Sequence, residues 1–214
     1  EGGVYAQNEQ NITSKFSVKY GLRYSLFDYI GPGTSFTYDA DGHQTSKKEY
    51  SNGESIKLYG GLEPRISLKY QIDEVSSVKT SYNRNFQYMH LLSNTTTSSP
   101  TDIWVPSSNN VKPQIANQVA LGYFRNFKDN MFEASVEVYY KTLANQIDYR
   151  NGADLFTNAE LESELEYGKG RAYGAELYIH KQTGRLTGWL SYTLSRSLRK
   201  FENINNGNEY SARQ

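Results

Sequence analysis

Phe16-Ser17-Val18-Lys19-Tyr20-Gly21-Leu22-Arg23-Tyr24-Ser25-Leu26 carries an apolar or aromatic side chain at every second position, with polar residues or glycine between. A period of two belongs to a β-strand, whose successive side chains point to opposite faces, so one face of this segment is apolar. The same pattern runs through Val119-Leu121-Tyr123 with Phe127, through Phe132-Ala134-Val136-Val138-Tyr140, and through Leu186-Gly188-Leu190-Tyr192-Leu194. Globular strands usually stop after about 5–6 residues, and these stretches run roughly twice as long. Strands of that length suit a tall wall crossing a bilayer.

The breaks between alternating stretches come in two sizes that take turns. Short breaks at residues 11–13, 72–74, 128–130 and 182–184 carry the Asn, Asp and Gly of tight hairpin turns. Long breaks at 29–55, 93–113 and 149–168, with another starting near Phe201, are rich in Gly, Ser, Thr, Asn and Asp. Short turns on one rim and long loops on the other are the arrangement of an outer-membrane barrel. The chain is therefore read as all-β: a long antiparallel meander of about eight strands, at 4–10, 15–28, 56–71, 75–92, 114–127, 131–147, 171–181 and 185–200, forming a partial segment of a larger transmembrane barrel. Residues 154–166 are kept as loop with one or two helical turns.

The charged exceptions to the pattern test this reading. A strand rises about 3.3 Å per residue, and a tilt of roughly 45° brings that to about 2.3 Å along the membrane normal. An apolar band about 25 Å tall then takes about ten residues, and lipid-facing charges belong only at its ends. Arg84 shares the parity of Val78, Tyr82, Phe86 and Tyr88 and lies about ten residues beyond the turn at Asp73. Arg196 stands a similar distance past Gly184, and Arg125 sits close to the turn at Asp129. All three fall where a long cationic side chain reaches head groups. Tyr70, Phe127 and Phe132 near the turns, with Tyr24, Tyr88 and Tyr140 near the loops, then form two aromatic girdles. The opposite parity is polar: Lys57, Glu63, Arg65 and Lys69, then Lys79, Asn83, Asn85 and Gln87, then Gln118, Glu133, Glu137 and Lys141.

Composition bounds the alternatives. Mean hydropathy is −0.73 and no run is apolar enough for a transmembrane helix, which a barrel does not need, because its strands meet lipid only at alternate residues. Lys plus Arg, 23, balances Asp plus Glu, 23, so no net charge draws the chain to nucleic acid. With no cysteine there is no disulfide and no thiolate metal site. The chain starts at Glu1 with no basic-then-apolar leader, which fits a leader already removed or a piece of something longer.

The order of short motifs adds a family resemblance. Gly3-Val4-Tyr5-Ala6-Gln7-Asn8-Glu9-Gln10 followed by Gly21-Leu22-Arg23-Tyr24 resembles adjacent barrel strands of TonB-dependent outer-membrane receptors. Glu63-Pro64-Arg65-Ile66-Ser67 is similar to a further strand of that family, as is Trp104-Val105-Pro106 with Val111-Lys112-Pro113 and Leu121-Gly122-Tyr123. Gly170-Arg171-Ala172-Tyr173-Gly174-Ala175-Glu176 with Ser191-Tyr192-Thr193-Leu194-Ser195 completes the series. Gln114 departs from it, the family more often having Glu after the proline. The style resembles receptors of the Bacteroidetes type. The resemblance implies a Gram-negative outer-membrane location, a barrel of about 22 strands around a plug, and energy-coupled uptake of a scarce ligand such as a siderophore, vitamin or oligosaccharide. On that basis 1–214 is expected to be a barrel fragment without the plug, the segment that meets the TonB complex, or the last strand. Its open edges are expected to self-associate. The competing reading is a soluble lectin-like β-sandwich with long loops on one rim.

No enzyme or cofactor site can be assembled. His43, His90 and His180 lie far apart without metal-ligand spacing, and Asp39-Ala40-Asp41-Gly42 starts like a calcium loop but lacks the later acidic ligand, so a turn is the simpler reading. Glu160, Glu162, Glu164 and Glu166 make an acidic loop that either draws a cation or is simply solvated. Phe36, Tyr38 and Trp104 stand in long loops among polar residues. Aromatics placed so either stack on a sugar or flat chelate, which makes them ligand-binding candidates, or pin one loop to the next.

Overall fold

The computed structural model describes residues 1–39, 43–92, 102–153 and 161–212. The described residues form thirteen strands: β1 (Gly2–Asn11), β2 (Phe16–Ile30), β3 (Gly33–Tyr38), β4 (Gln44–Tyr50), β5 (Ser55–Gln71), β6 (Ser76–Gln87), β7 (Met89–Leu92), β8 (Ile103–Pro106), β9 (Gln114–Phe127), β10 (Phe132–Tyr149), β11 (Leu165–Lys181), β12 (Gly188–Phe201) and β13 (Tyr210–Ser211). Nine of them form one open antiparallel sheet in the order β1-β2-β5-β6-β9-β10-β11-β12-β13. The other four make two hairpins, β3-β4 and β7-β8, within the long connections. The sheet strands are long, up to the 18 residues of β10.

The tight turns hold because their residues tolerate the backbone they need. Lys128, Asp129 and Asn130 all adopt positive φ, at 50°, 52° and 65°, in the left-handed region where Asn and Asp are the most tolerant non-glycine residues. At the β5-β6 turn the Asp73 carboxylate accepts the Val75 amide at 3.0 Å. The turns also step along the sheet. Asn11, at the end of β1, is in register through Ser17, Lys69 and Lys79 with Gly122, well inside β9. Ser76, just past the next turn, lies level with Arg125, and the β9-β10 turn follows Phe127. This progressive offset is the stagger of a wall of tilted strands.

Several elements differ from the sequence reading: β8 and β13 lie in stretches read as loop, β12 begins at Gly188 rather than 185, and four further differences have local causes. The 29–55 connection contains β3-β4, whose Gln44-Thr45-Ser46-Lys47-Lys48-Glu49 strand is polar on both faces and so shows no period. The stretch 75–92 is two strands, broken at Tyr88. β11 begins at Leu165 rather than 171, because Gly168 and Gly170 interrupt the side-chain pattern there. A Cβ at Gly168 would collide with the Lys200 carbonyl and the Phe201 ring, so the close approach of β12 requires glycine. Of the 154–166 segment, Leu161–Glu164 is one 3₁₀ turn and the strand follows at once; 154–160 lie outside the described residues, as do residues 40–42 of the calcium-like turn.

Among the described residues the buried apolar cluster lies at the loop end of the sheet, where Leu92, Val105, Val111, Ile147 and Leu165 meet beneath Tyr149 and Leu161. Buried His90 belongs to the same region. Its Nε2 shares a 2.9 Å hydrogen bond with Ser107 Oγ, and burial pulls the imidazole down to about 4, so the ring is neutral near pH 7. A bulge at Asn145 (φ 55°) shifts the β10-β11 register between Leu143 and Gln146, and the Asn145 amide donates to the Pro113 carbonyl at 2.8 Å.

Candidate membrane face and loop cavity

One face of the sheet is an uncovered apolar surface. On β2 it runs from Phe16 through Val18, Tyr20, Leu22 and Tyr24 to Leu26, and the next residue of that parity is Asp28. On β9 it runs back from Phe127 to Val119, and then comes Asn117. On β10 it spans Phe132 to Tyr140 before Thr142, and on β11 Ile179 back to Tyr173 before Arg171. Cross-strand register keeps these residues on one side: Leu121 faces Val138, which faces Ala175, which faces Leu194. Leu62, Leu121, Val138 and Leu177 are 54%, 49%, 44% and 47% exposed. Folding in water does not leave a continuous apolar sheet face open, so this surface is built for an apolar surrounding. Its polar ends are themselves register neighbours, since Arg84, Asn117, Thr142 and Arg171 sit side by side. Ten residues separate Asn117 from Phe127. For strands tilted by roughly 45° that is about 23 Å, close to the apolar band of an outer-membrane barrel.

The residues expected at the membrane interface fall as follows. Arg84 lies at the loop-side end, its Nε donating to Asn117 Oδ1 at 2.8 Å, and the Tyr82 hydroxyl donates to the same oxygen at 3.0 Å. Tyr24, register partner of Leu62, stands near the loop end of the apolar row, and Tyr70, opposite Phe16, stands near the turns. Phe127 and Phe132 face one another beside the β9-β10 turn, and Arg125 lies over the Phe127 ring at 5.3 Å. Tyr140 and Tyr173 stack with centroids 6.4 Å apart, and Arg196 is the register partner of Tyr173.

Tyr88 corrects the expectation. It is 2% exposed, its hydroxyl shares a 2.7 Å hydrogen bond with Ser25, and its ring stacks on Phe27 at 5.3 Å and on Phe86 at 6.2 Å. Ser25 and Phe27 belong to the polar face, so Tyr88 does not stand in a lipid girdle. The cause is local: β5-β6 pairing stops at Arg65–Asn83, and beyond it the β6 end turns across the polar face. A Cβ at Gly61 would come within 2.6 Å of the Phe86 ring, so glycine there makes room for the stack.

Away from the Phe27–Tyr88–Phe86 stack the opposite face is mainly polar. Glu63 is 2% exposed between Arg23 and Arg65, with N···O distances of 3.6 and 3.7 Å. Lys79 lies over the Phe124 ring at 4.3 Å, and Arg65 donates to Asn85 Oδ1 at 3.0 Å.

At the loop end the connections border an open cavity of about 610 Å³, lined among others by Tyr38, Asn110, Arg150, Glu162, Tyr167 and Asn203. Asn109 and Asn110 bind it together. Asn109 Nδ2 donates to Ser35 Oγ at 2.7 Å, and Asn110 Nδ2 donates to the Phe36 carbonyl at 3.0 Å and to Glu162. Tyr59 donates to the Ser108 carbonyl at 2.7 Å, and burial together with the nearby Glu162 carboxylate raises its phenol. Tyr167 is likewise pushed up, by burial first and Glu162 second. Of the three loop aromatics named from sequence, Tyr38 lines this cavity, Phe36 lies tilted beside it with centroids 6.5 Å apart, and Trp104 stands apart on β8, 61% exposed opposite Leu91. Among the described members of the acidic loop, Glu162 and Glu166 accept hydrogen bonds from Asn110 and Asn203, and Glu164 pairs with Arg150 at 3.9 Å. The amides Asn109, Asn110 and Asn203 were not singled out from sequence; only the Asn-rich composition of their loops marks them.

The sequence matches the family described as TonB dependent receptor-like, beta-barrel, over residues 1–213. No curated protein matches it. Among solved structures it is similar to the FrpB iron transporter from Neisseria meningitidis, with TM-score 0.60 and 17% identity over 96% of this chain and 26% of that one. It is similar also to the ferric-catecholate import receptor Fiu from E. coli K12, with TM-score 0.55 and 16% identity over 96% of this chain and 29% of that one. The structure of the FpvAI–pyocin S2 complex matches with TM-score 0.57 and 13% identity over 97% of this chain and 24% of that one. These likenesses establish the fold, and the chain spans about a quarter of the length of the proteins it resembles.

Proposed function

The chain belongs to the TonB-dependent receptor β-barrel family, and from that premise we propose that it forms part of the wall of a receptor in the outer membrane of a Gram-negative bacterium. In this reading the receptor takes up a scarce small molecule or glycan and couples its passage to the TonB complex through a plug region outside residues 1–214. The observation that carries the reading is the ten-residue apolar span on successive strands, polar at both ends and backed by a polar face. A lectin-like sandwich would need a second sheet over Leu22, Leu62, Leu121 and Val138, and the described residues form a single layer there. The ligand acts at the loop end, where the cavity around Tyr38 and Asn110 lies. By itself this segment is expected to associate through the unpaired edge of β1.

The test uses cells that make the full-length protein and are offered, in turn, a ferric catecholate, a corrinoid vitamin and a neutral oligosaccharide. Accumulation of one of them is expected to stop when an uncoupler discharges the inner-membrane proton gradient. Accumulation that continues after discharge, or none with any of the three, contradicts the proposal.

A further inference from the structure

Lys169 on β11 and Lys200 on β12 are directly opposite register partners. Like charges so placed oppose pairing of the two strands. Both are exposed, and among the described residues neither has an ion pair. They share a face with Arg171, Tyr173 and Arg196. The one carboxylate joining the cluster, Glu209, is taken by Arg171 at 2.6 Å. The cluster therefore keeps an excess of positive charge, concentrated on two ammonium groups rooted about 5 Å apart. That spacing lets one phosphate sit between them.

The position selects the source of the phosphate. Descending from the lysines on the same face come Arg171 and Arg196, the stacked Tyr140 and Tyr173, and then Leu177, Ile179, Leu190, Tyr192 and Leu194. This is the sequence of surroundings met by a lipid: charged head group, interfacial ring, acyl chain. A soluble anion would use the lysines and gain nothing from the belt below. We propose that Lys169 and Lys200 form a binding site for the phosphate of an anionic lipid in the loop-side leaflet, with Arg196 and the Tyr140–Tyr173 pair supporting the head group. The inference rests on the membrane reading and adds a lipid site on the outer wall, separate from the transported ligand.

Native mass spectrometry of the full-length protein, released from detergent with phosphatidylglycerol or phosphatidylcholine added, tests it. Phosphatidylglycerol is expected to be retained in preference to phosphatidylcholine. The K169Q/K200Q variant is expected to weaken that retention about thirtyfold, from roughly a fivefold factor for each lysine near a lipid surface. K169R/K200R, which keeps both charges, should retain the lipid, and K47Q/K48Q on β4, away from the belt, should behave as wild type. Unchanged retention in K169Q/K200Q, equal loss in K47Q/K48Q, or displacement of the lipid by millimolar inorganic phosphate each overturns the proposal. Failure of the protein to enter vesicles would bring down the membrane reading itself, whereas insertion with lipid retention indifferent to K169Q/K200Q removes only this site.

Discussion

Leu121→Arg is expected to destabilise the full-length protein in a bilayer by about 2–4 kcal/mol more than Leu121→Ala, whereas Asn117→Arg, two positions along the same face, should cost only about 0–1 kcal/mol more than Asn117→Ala, which equally removes the acceptor of Arg84 and Tyr82. Leu121 lies near the middle of the apolar span, between Thr80 and Val138, and no polar side chain of its row offers a guanidinium more than a threonine hydroxyl. That hydroxyl is already donated to the Ala120 carbonyl at 3.0 Å. An arginine there must thin the bilayer or draw water into it. At Asn117 the same group would stand beside Arg84 and Thr142, at the polar end of the span, where a long side chain extends to the head groups. Guanidinium unfolding of both variants in lipid vesicles measures the difference. Equal destabilisation at the two positions would mean that the span does not sit in hydrocarbon.

Tyr88→Ala is expected to cost about 3–5 kcal/mol, as large-to-small changes at buried aromatics do. The ring is the middle of a three-ring stack, Phe27–Tyr88–Phe86, and its removal leaves a gap between Phe27 and Phe86. Tyr88→Phe keeps the stack and loses the hydrogen bond to buried Ser25, for a cost of about 1–2 kcal/mol. The same unfolding assay separates the two. A loss for Tyr88→Ala no greater than for Tyr88→Phe would place Tyr88 on the exposed face after all.

The pair of predictions also marks where sequence was legible and where it was not. Alternation placed the apolar face on β2, β9, β10 and β12 because a one-residue slip would have turned Leu22 or Val138 to the polar side. Turn residues located all four tight hairpins. Parity failed at Tyr88 because it presumes an unbroken ladder, and the ladder between β5 and β6 ends at Arg65–Asn83. It missed β3-β4 because β4 is polar on both faces over 44–49 and shows no period. It started β11 late because glycine carries no signal of face. The loop cavity was half legible. Tyr38 stood out as an aromatic in a polar loop, but Asn109, Asn110 and Asn203 act through contacts between segments 37 to 74 residues apart, which no local pattern encodes.

Cysteine scanning tests the central claim most directly, since this chain has none of its own. Single cysteines along 117–124 and 134–140, each carrying a fluorophore, would be placed in the full-length protein in vesicles whose acyl chains are brominated. Quenching is expected to alternate, strong at positions 119, 121, 123, 136 and 138 and weak at 118, 120, 122, 135 and 137. Equal quenching on both parities, or stronger quenching at Gln118 and Glu137 than at Leu121 and Val138, would contradict a wall whose apolar face meets lipid.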